Sequence, residues 1–464
     1  MIRRLRRAST FAAVAALAAL APTLGDAAVV PFLAVAGLAF FGIRDGEWFE
    51  TLALPGDREE ERLYGLVAFS VAAAGLALFA SLPRAPLPYE AFAAATLAVG
   101  GGRLGRELVG RATADEFPLV AGYVGAGALA ALAGQVAVLL QVELLGADGG
   151  FSLTGAVPAL RVDLAGALSS LATAFPDLVF LASVAALTAA LVRSLVFARD
   201  AHITVILVAF AVWGFVALDP AVTAPLVAFG LGVTAALGYV SFALGTASVP
   251  GMLTGVLSAL LAVVLGGVGW FLTLMSFYAV GGLASKYRFD EKAARGVAQE
   301  NEGARGTGNV LANSAVALVA LLGYAATPHV AVPAAPFAFA FAGATATAMA
   351  DTLSSEIGGL FDGPRLVTTL RRVEPGTDGA ITWQGEIAGL AGSLLVAGLA
   401  AVGMPIGDLV GGGGIIVLAG VAGMTADSVL GAVVEGDRVG NQAVNFLATL
   451  SGAAVAVALG VALL

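Results

Sequence analysis

The sequence predicts an all-α, polytopic integral membrane helical bundle of roughly 13–15 transmembrane segments, with a degenerate parallel internal duplication. Three observations predict it. Only 12 % of the 464 residues are charged, against 59 % hydrophobic, and the mean hydropathy is +0.94. A soluble domain carries about 25 % charge, so too little polarity remains to cover a globule. Apolar runs long enough to cross about 30 Å of hydrocarbon as helices recur along the whole chain. The second half also echoes the first, at a shift of about 240 residues. Together these exclude a secreted enzyme, a nucleic-acid-binding module and a membrane β-barrel, whose strands would alternate apolar and polar.

Taken in order, the expected spans lie near 8–24, 27–43, 64–82, 88–102, 117–142, 174–195, 202–218, 221–244, 250–268, 269–284, 309–325, 330–349, 384–403, 410–430 and 441–462. The basic start before the first apolar run resembles a signal peptide, but this stretch belongs to the repeat, so it is read as retained. Cysteine is absent, which removes disulfides, thiolate metal sites and cysteine nucleophiles. His202 and His329 are too few for a histidine cluster. The net charge of −9, with Lys286 and Lys292 the only lysines, fits a high-salt, halophile-like archaeal composition.

Basic residues collect in Arg3–Arg7, Arg44–Arg62, Arg103–Arg111, Arg193–Arg199, Lys286–Arg305, Arg365–Arg372 and at Arg438. An even number of spans separates each group from the next. All of them can therefore face the cytoplasm, with the N-terminus and 285–308, 350–383 and 431–440 on that side of a cell membrane.

The duplication divides the chain into 1–220, a copy without a polar site, and 221–464, a copy that carries one. Polar groups of the second copy face apolar or small ones in the first: Asp351 against Gly102, Asp427 against Ala190, Asn313 against Phe69, Asn441 against Thr204, and Asn445 against Val208. A carboxylate inside a span needs a partner, water or a function. Asp351 ends one span and shares a helix face with Ser355, Glu356 follows, and Asp427 ends another. Carboxylates at the same end of two helices are what a Mg²⁺–phosphate site needs, since this hard cation takes oxygen ligands and keeps part of its water.

Between the two lies a Gly-, Thr- and Arg-rich loop, Asp362 to Gly379, whose hydroxyls and arginines suit phosphate oxygens. A third element, Asn301 to Ser314, opens a span with glycines, Arg305 and amides; a fourth, Gly440 to Phe446, puts Asn441 and Asn445 four apart on one helical face. Plainer readings compete: helix caps for Asp362 and Asp378, positive-inside anchors for Arg371 and Arg372, helix packing for Gly411 to Gly414, and interfacial positions for His329 and Trp383.

At these residues the chain resembles the transmembrane protein 19 / phytyl-phosphate kinase family, also called domain of unknown function 92. The resemblance rests on Asn301 to Ser314, Ala350 to Gly358, Gly363 to Thr369, Pro375 to Gly379, Asp427 to Ala432 and Asn441 to Leu447, and departs from the family pattern at Leu353 and Gln442. It implies a relative of CTP-dependent polyprenol and dolichol kinases. The substrate would be a membrane isoprenoid monophosphate such as phytyl or geranylgeranyl phosphate, with CTP or another nucleoside triphosphate as donor. By the same resemblance Asp351, Glu356 and Asp427 would hold Mg²⁺. Arg365, Thr368 and Thr369 would bind nucleotide phosphates, with Arg371 and Arg372 behind them. Asn313, Asn441 and Asn445 would orient phosphate or ribose. The partners are then the lipid bilayer, an isoprenoid phosphate and a nucleotide, with no nucleic acid. A transporter or flippase of lipid-linked or small anionic cargo, a cytidylyltransferase acting on a lipid phosphate, and a non-catalytic scaffold are the competing readings.

Overall fold

In the computed structural model, residues 2–145, 164–197, 200–298, 304–435 and 439–464 are described. Asn301, Glu302, Gly303, Arg199 and Arg438 lie outside them. Nearly every element is a helix, and eleven of those described are long and apolar enough to cross a membrane. The chain is a multi-pass helical membrane protein. It divides into two compact units, Met1–Val227 and Ala228–Leu464.

Unit 1 opens with a helical run, Ile2–Gly42, that proline and glycine interrupt. Within it α1 (Ile2–Ala16) gives way to a 3₁₀ turn, α2 (Ala21–Leu24) starts on Pro22, Gly25 turns the chain at φ +53°, and α3 (Val29–Gly37) ends in a π turn. The short α4 (Gly46–Leu52), α5 (Tyr64–Ala80), α6 (Tyr89–Val109), α7 (Glu116–Leu145), α8 (Leu164–Leu195) and α9 (Ala201–Leu218) complete it. Unit 2 contains most of α10 (Ala224–Ala243), followed by α11 (Val249–Leu261), α12 (Val268–Lys286), the short α13 (Phe289–Ala294), α14 (Thr307–Ala325) and α15 (Ala335–Gly358). A two-stranded hairpin, β1 (Arg365–Leu366) with β2 (Ala380–Ile381), then leads to α16 (Trp383–Gly403), α17 (Gly412–Val434) and α18 (Asn441–Leu463).

The expected spans coincide with these helices, but they do not all meet the same hydropathy standard. The first two form the single interrupted run Ile2–Gly42, and α5 is a shorter apolar helix. The expected spans 88–102 and 330–349 are α6 and α15, which are not among the eleven. Burial gives the reason. α15 is buried without a break from Phe341 to Ala350, and α6 from Ala91 to Gly102. A helix sheathed by other helices has no lipid to match, so Ala, Gly and Thr suffice where lipid-facing helices need Leu, Val and Phe.

Each unit is built around that sheathed helix. α6 packs on α7, α8 and α9, and α15 on α16, α17 and α18. Gly101 and Gly105 of α6 lie against Ala126, Ala130 and Gly122 of α7, the small-residue spacing that lets helix backbones approach closely. The entry helices depart from this common order. α1 packs mainly on α6 and α3 on α5, whereas α11 packs on α14 and α12 on α15 and α16.

Candidate active site

Unit 2 contains a cavity of about 910 Å³ at one end of its bundle. α15 supplies Asp351, Ser354 and Ser355, and α17 supplies Asp427 and Ser428. The loop before β2 adds Pro375 to Gly379. The starts of α14 and α18 add Arg305 to Asn309 (without Thr307) and Gly440 to Ala443.

The Asp351 and Asp427 carboxyls face each other within hydrogen-bonding reach, and Asp427 Oδ1 is buried without a donor. Two carboxylates in contact, one of them orphaned, form an incomplete arrangement that a divalent cation would balance. The donor chemistry fits Mg²⁺, which takes one or two carboxylates and fills its shell with water and phosphate oxygens. Glu356 does not join them. Among the described residues no group of three acidic or histidine side chains is placed to hold a metal. Five residues along a helix turn the side chain about 140° from Asp351, onto another face of α15, whereas Ser355 at four stays beside it. Glu356 is buried against Lys292, 2.5 Å from its ammonium.

Among the described residues Arg305 is the cation on the cavity wall, and it is not among the site residues expected from the sequence. It is 8 % exposed, and its Nη2 donates to Thr352 Oγ1 at 3.2 Å. The guanidinium lies over the Phe277 ring at 5.1 Å, while Nη1 is buried with no acceptor. Its backbone is clamped to the start of α11: Arg305 N donates to Thr246 O and Ser248 N to Arg305 O, both at 3.0 Å. Burial pulls its pKa below the usual arginine value, and the Glu356 and Asp351 carboxylates oppose that shift. A guanidinium stays charged in proteins, so Arg305 brings a buried cation, with one nitrogen unpaired and its guanidinium packed toward Gly281 of α12, to the lining of a carboxylate-lined cavity. The sequence signal is present but faint: a lone arginine between Ala304 and Gly306 at the mouth of a span.

The helix starts matter as well. α14 begins after Gly306 and α18 after Gly440, and neither is closed by a side-chain cap. Apart from Ala443 N, which donates to Gly440 O at 2.9 Å, their first-turn N–H groups are open to an anion, which the helix dipole favours there. Asn309 faces the same space with a buried Oδ1 that has no donor.

The remaining expected residues divide. Asn441 lines the cavity, and its Oδ1 accepts from Asn445 Nδ2 at 3.2 Å, so Asn445 stands behind it, buried. Asn313 is buried within α14 and donates to Asn309 O at 3.0 Å; it does not line the cavity. The hairpin residues do not line it either. Arg365, Thr368, Thr369, Arg371 and Arg372 lie outside it, and Arg365 Nη1 is satisfied by Leu370 O at 2.7 Å. All five are exposed: only Arg365 is in β1, and the others lie in the turn and return segment that follow it, away from the helices. What its loop gives the cavity is largely backbone. Gly379, at φ +73°, seats the loop so closely on α17 that a Cβ would collide with Ser428 O and Ala432. Asp378 lines the cavity, and Asp362 is paired with Arg295 at 2.5 Å outside it.

Fold and site thus define a multi-pass helical membrane protein with an anion-ready, carboxylate-lined cavity in its second half. Residues 232–453 match the integral membrane protein DUF92 family. An uncharacterized membrane protein of Methanocaldococcus jannaschii, MJ0933, is 36 % identical over 203 residues, 41 % of this chain and 76 % of that protein. Uncharacterized membrane protein sll0875 of Synechocystis is 31 % identical over 41 % of this chain and 74 % of its own. Protein VTE6, chloroplastic, of Arabidopsis thaliana is 30 % identical over 41 % of this chain and 58 % of that protein. No solved structure matches. The chain belongs to the DUF92 integral membrane family.

Proposed function

We propose that the chain is a kinase of a membrane isoprenoid monophosphate, such as phytyl or geranylgeranyl phosphate, with CTP or another nucleoside triphosphate as donor. The observation that carries this reading is the facing pair Asp351 and Asp427, which shares one cavity lining with the buried Arg305. Phosphoryl transfer asks a protein mainly for positioning and charge neutralisation, so neither histidine nor cysteine is needed. A phosphate oxygen of the acceptor attacks the γ-phosphorus, the bond to the β-bridging oxygen breaks, and the nucleoside diphosphate leaves. Arg305 and the open starts of α14 and α18 hold phosphate oxygens. Asn441, steadied by Asn445, orients the nucleotide. Asp351 and Asp427 would hold Mg²⁺, which neutralises charge on the transferring phosphates. The acceptor already carries an ionised oxygen, so no strong general base is required.

The distribution of arginines favours a cytoplasmic cavity, with the isoprenoid chain among the helices. Unit 1 is read as a degenerate copy that has lost these groups. The test is turnover by the purified full chain with labelled CTP or ATP, Mg²⁺ and geranylgeranyl or phytyl phosphate. Lipid diphosphate plus nucleoside diphosphate is the expected product. A CDP-lipid with pyrophosphate would instead make it a cytidylyltransferase. Movement of lipid phosphate across proteoliposomes without turnover would make it a transporter.

A further inference from the structure

Unit 1 holds a cavity of about 350 Å³, largely apolar with a few polar groups, among α6, α7, α8 and α9. Its polar lining is Glu90, Gln135, Asp177 and Asp219, and the Phe180 and Phe215 rings, edge-on at 5.7 Å, form an apolar wall. Gln135 is 0 % exposed, and neither Nε2 nor Oε1 has a hydrogen-bond partner. A buried amide unpaired at both ends is rare in a folded protein and points to a missing ligand. Among the described residues none of the three carboxylates forms an ion pair. Asp177 and Asp219 line the same cavity. Asp177 also follows Pro176, which removes one helical N–H and leaves an α8 carbonyl without its usual donor.

We propose that this cavity binds a small primary ammonium ion carried on a compact apolar body. Three carboxylates of one sign select a cation and repel the phosphate of a lipid headgroup. Gln135 Oε1 accepts one ammonium N–H, and the carboxylates accept the others. The phenylalanine wall suits both the apolar body and the charge. A bare metal ion fits poorly, because the cavity is large and among the described residues no three acidic groups converge as a metal set. This inference does not depend on the kinase reading.

Calorimetry on the purified full chain tests it, with benzylammonium as probe. Benzyl alcohol lacks the charge, and benzyltrimethylammonium lacks the N–H donors. Benzylammonium is expected to bind at one site per chain at least about tenfold more tightly than either control. Asp177→Asn, Gln135→Leu and Asp219→Asn should each weaken it about tenfold. If Gln135→Leu fails to fold, the two aspartate variants decide the matter. Equal binding of benzyl alcohol, displacement by equimolar Ca²⁺, or unchanged affinity in the aspartate variants would overturn the assignment.

Discussion

Lys292 and Glu356 form a buried ion pair, Nζ to Oε2 2.5 Å, with both side chains at most 2 % exposed. The same ammonium donates to Ala284 O and Ser285 O, each at 2.9 Å, so all three of its protons are used. The pair ties the short α13 to the end of α12 and to α15, beyond Asp351 along that helix. It gives Glu356 a structural task in place of the metal-binding one that the resemblance implies.

Removing one partner leaves the other charge buried and unpaired, which destabilises by about 3–5 kcal/mol. Lys292→Met should therefore lose that much stability, whereas the double variant Lys292→Met/Glu356→Leu recovers most of it. Denaturation in detergent micelles checks this. A double variant as unstable as the single one would show that the pair is not the source of the loss.

Arg305 and the hairpin arginines make a direct comparison. Arg305→Met should lower kcat/KM by about 10²–10³-fold, the scale of removing one preorganised donor to a transition-state charge. Arg305→Lys keeps the charge but loses the planar fork and the stacking on Phe277, so it should recover only part of the activity. Arg371→Ala and Arg372→Ala lie on the exposed hairpin and should change kcat/KM by no more than about twofold. Steady-state kinetics on the four variants decides; a large loss confined to the hairpin variants would return the phosphate grip to that loop.

The helical membrane architecture was legible because hydrophobic length is a local property of the chain. The Asp351 and Asp427 pairing was legible because intramembrane carboxylates are rare enough to be informative one at a time. Glu356 and the hairpin residues were misplaced for a geometric reason. Helical phase decides which face a carboxylate takes, and the Thr and Arg side chains lie mostly in an exposed turn beyond β1, so proximity in sequence to Asp351 carried no information. Arg305 was hard to see because its role depends on Phe277, Thr352 and the strand-like contact at Thr246 and Ser248, all distant in sequence. Gln135 was invisible for a similar reason, since an amide in an apolar span reads as polar glue until its partners prove to be missing.

Glu435, just past the end of α17, predicts a pH dependence. Burial raises its pKa above the usual 4.5, Asp378 and Asp427 raise it further, and a hydrogen bond with Asn441 opposes them. The folded protein therefore holds this proton more tightly than the unfolded chain does. Stability from this group is fully present below the ordinary carboxylate range and declines as pH rises through the folded-state value. Glu435→Gln should flatten that decline. Melting curves in metal-free buffer from about pH 4 to 8 would show it, and an unchanged slope would assign the decline to other groups.

The facing carboxylates make the last prediction a test of two signs at once. In metal-free buffer the buried Asp351–Asp427 contact is held only by a proton shared between the two carboxyls, so Asp427→Asn, which supplies a permanent amide donor in place of that proton, should raise the melting temperature. Mg²⁺ binds the folded wild type and should raise its melting temperature in a concentration-dependent way. The same titration should leave Asp427→Asn and Asp351→Asn nearly unmoved, and both should lose turnover while remaining folded. A stabilised variant that has lost both catalysis and its response to Mg²⁺ is the signature of a metal-holding pair, because a purely structural pair would lose stability on substitution. Wild type indifferent to Mg²⁺, together with full turnover in Asp427→Asn, would remove the pair from the reaction.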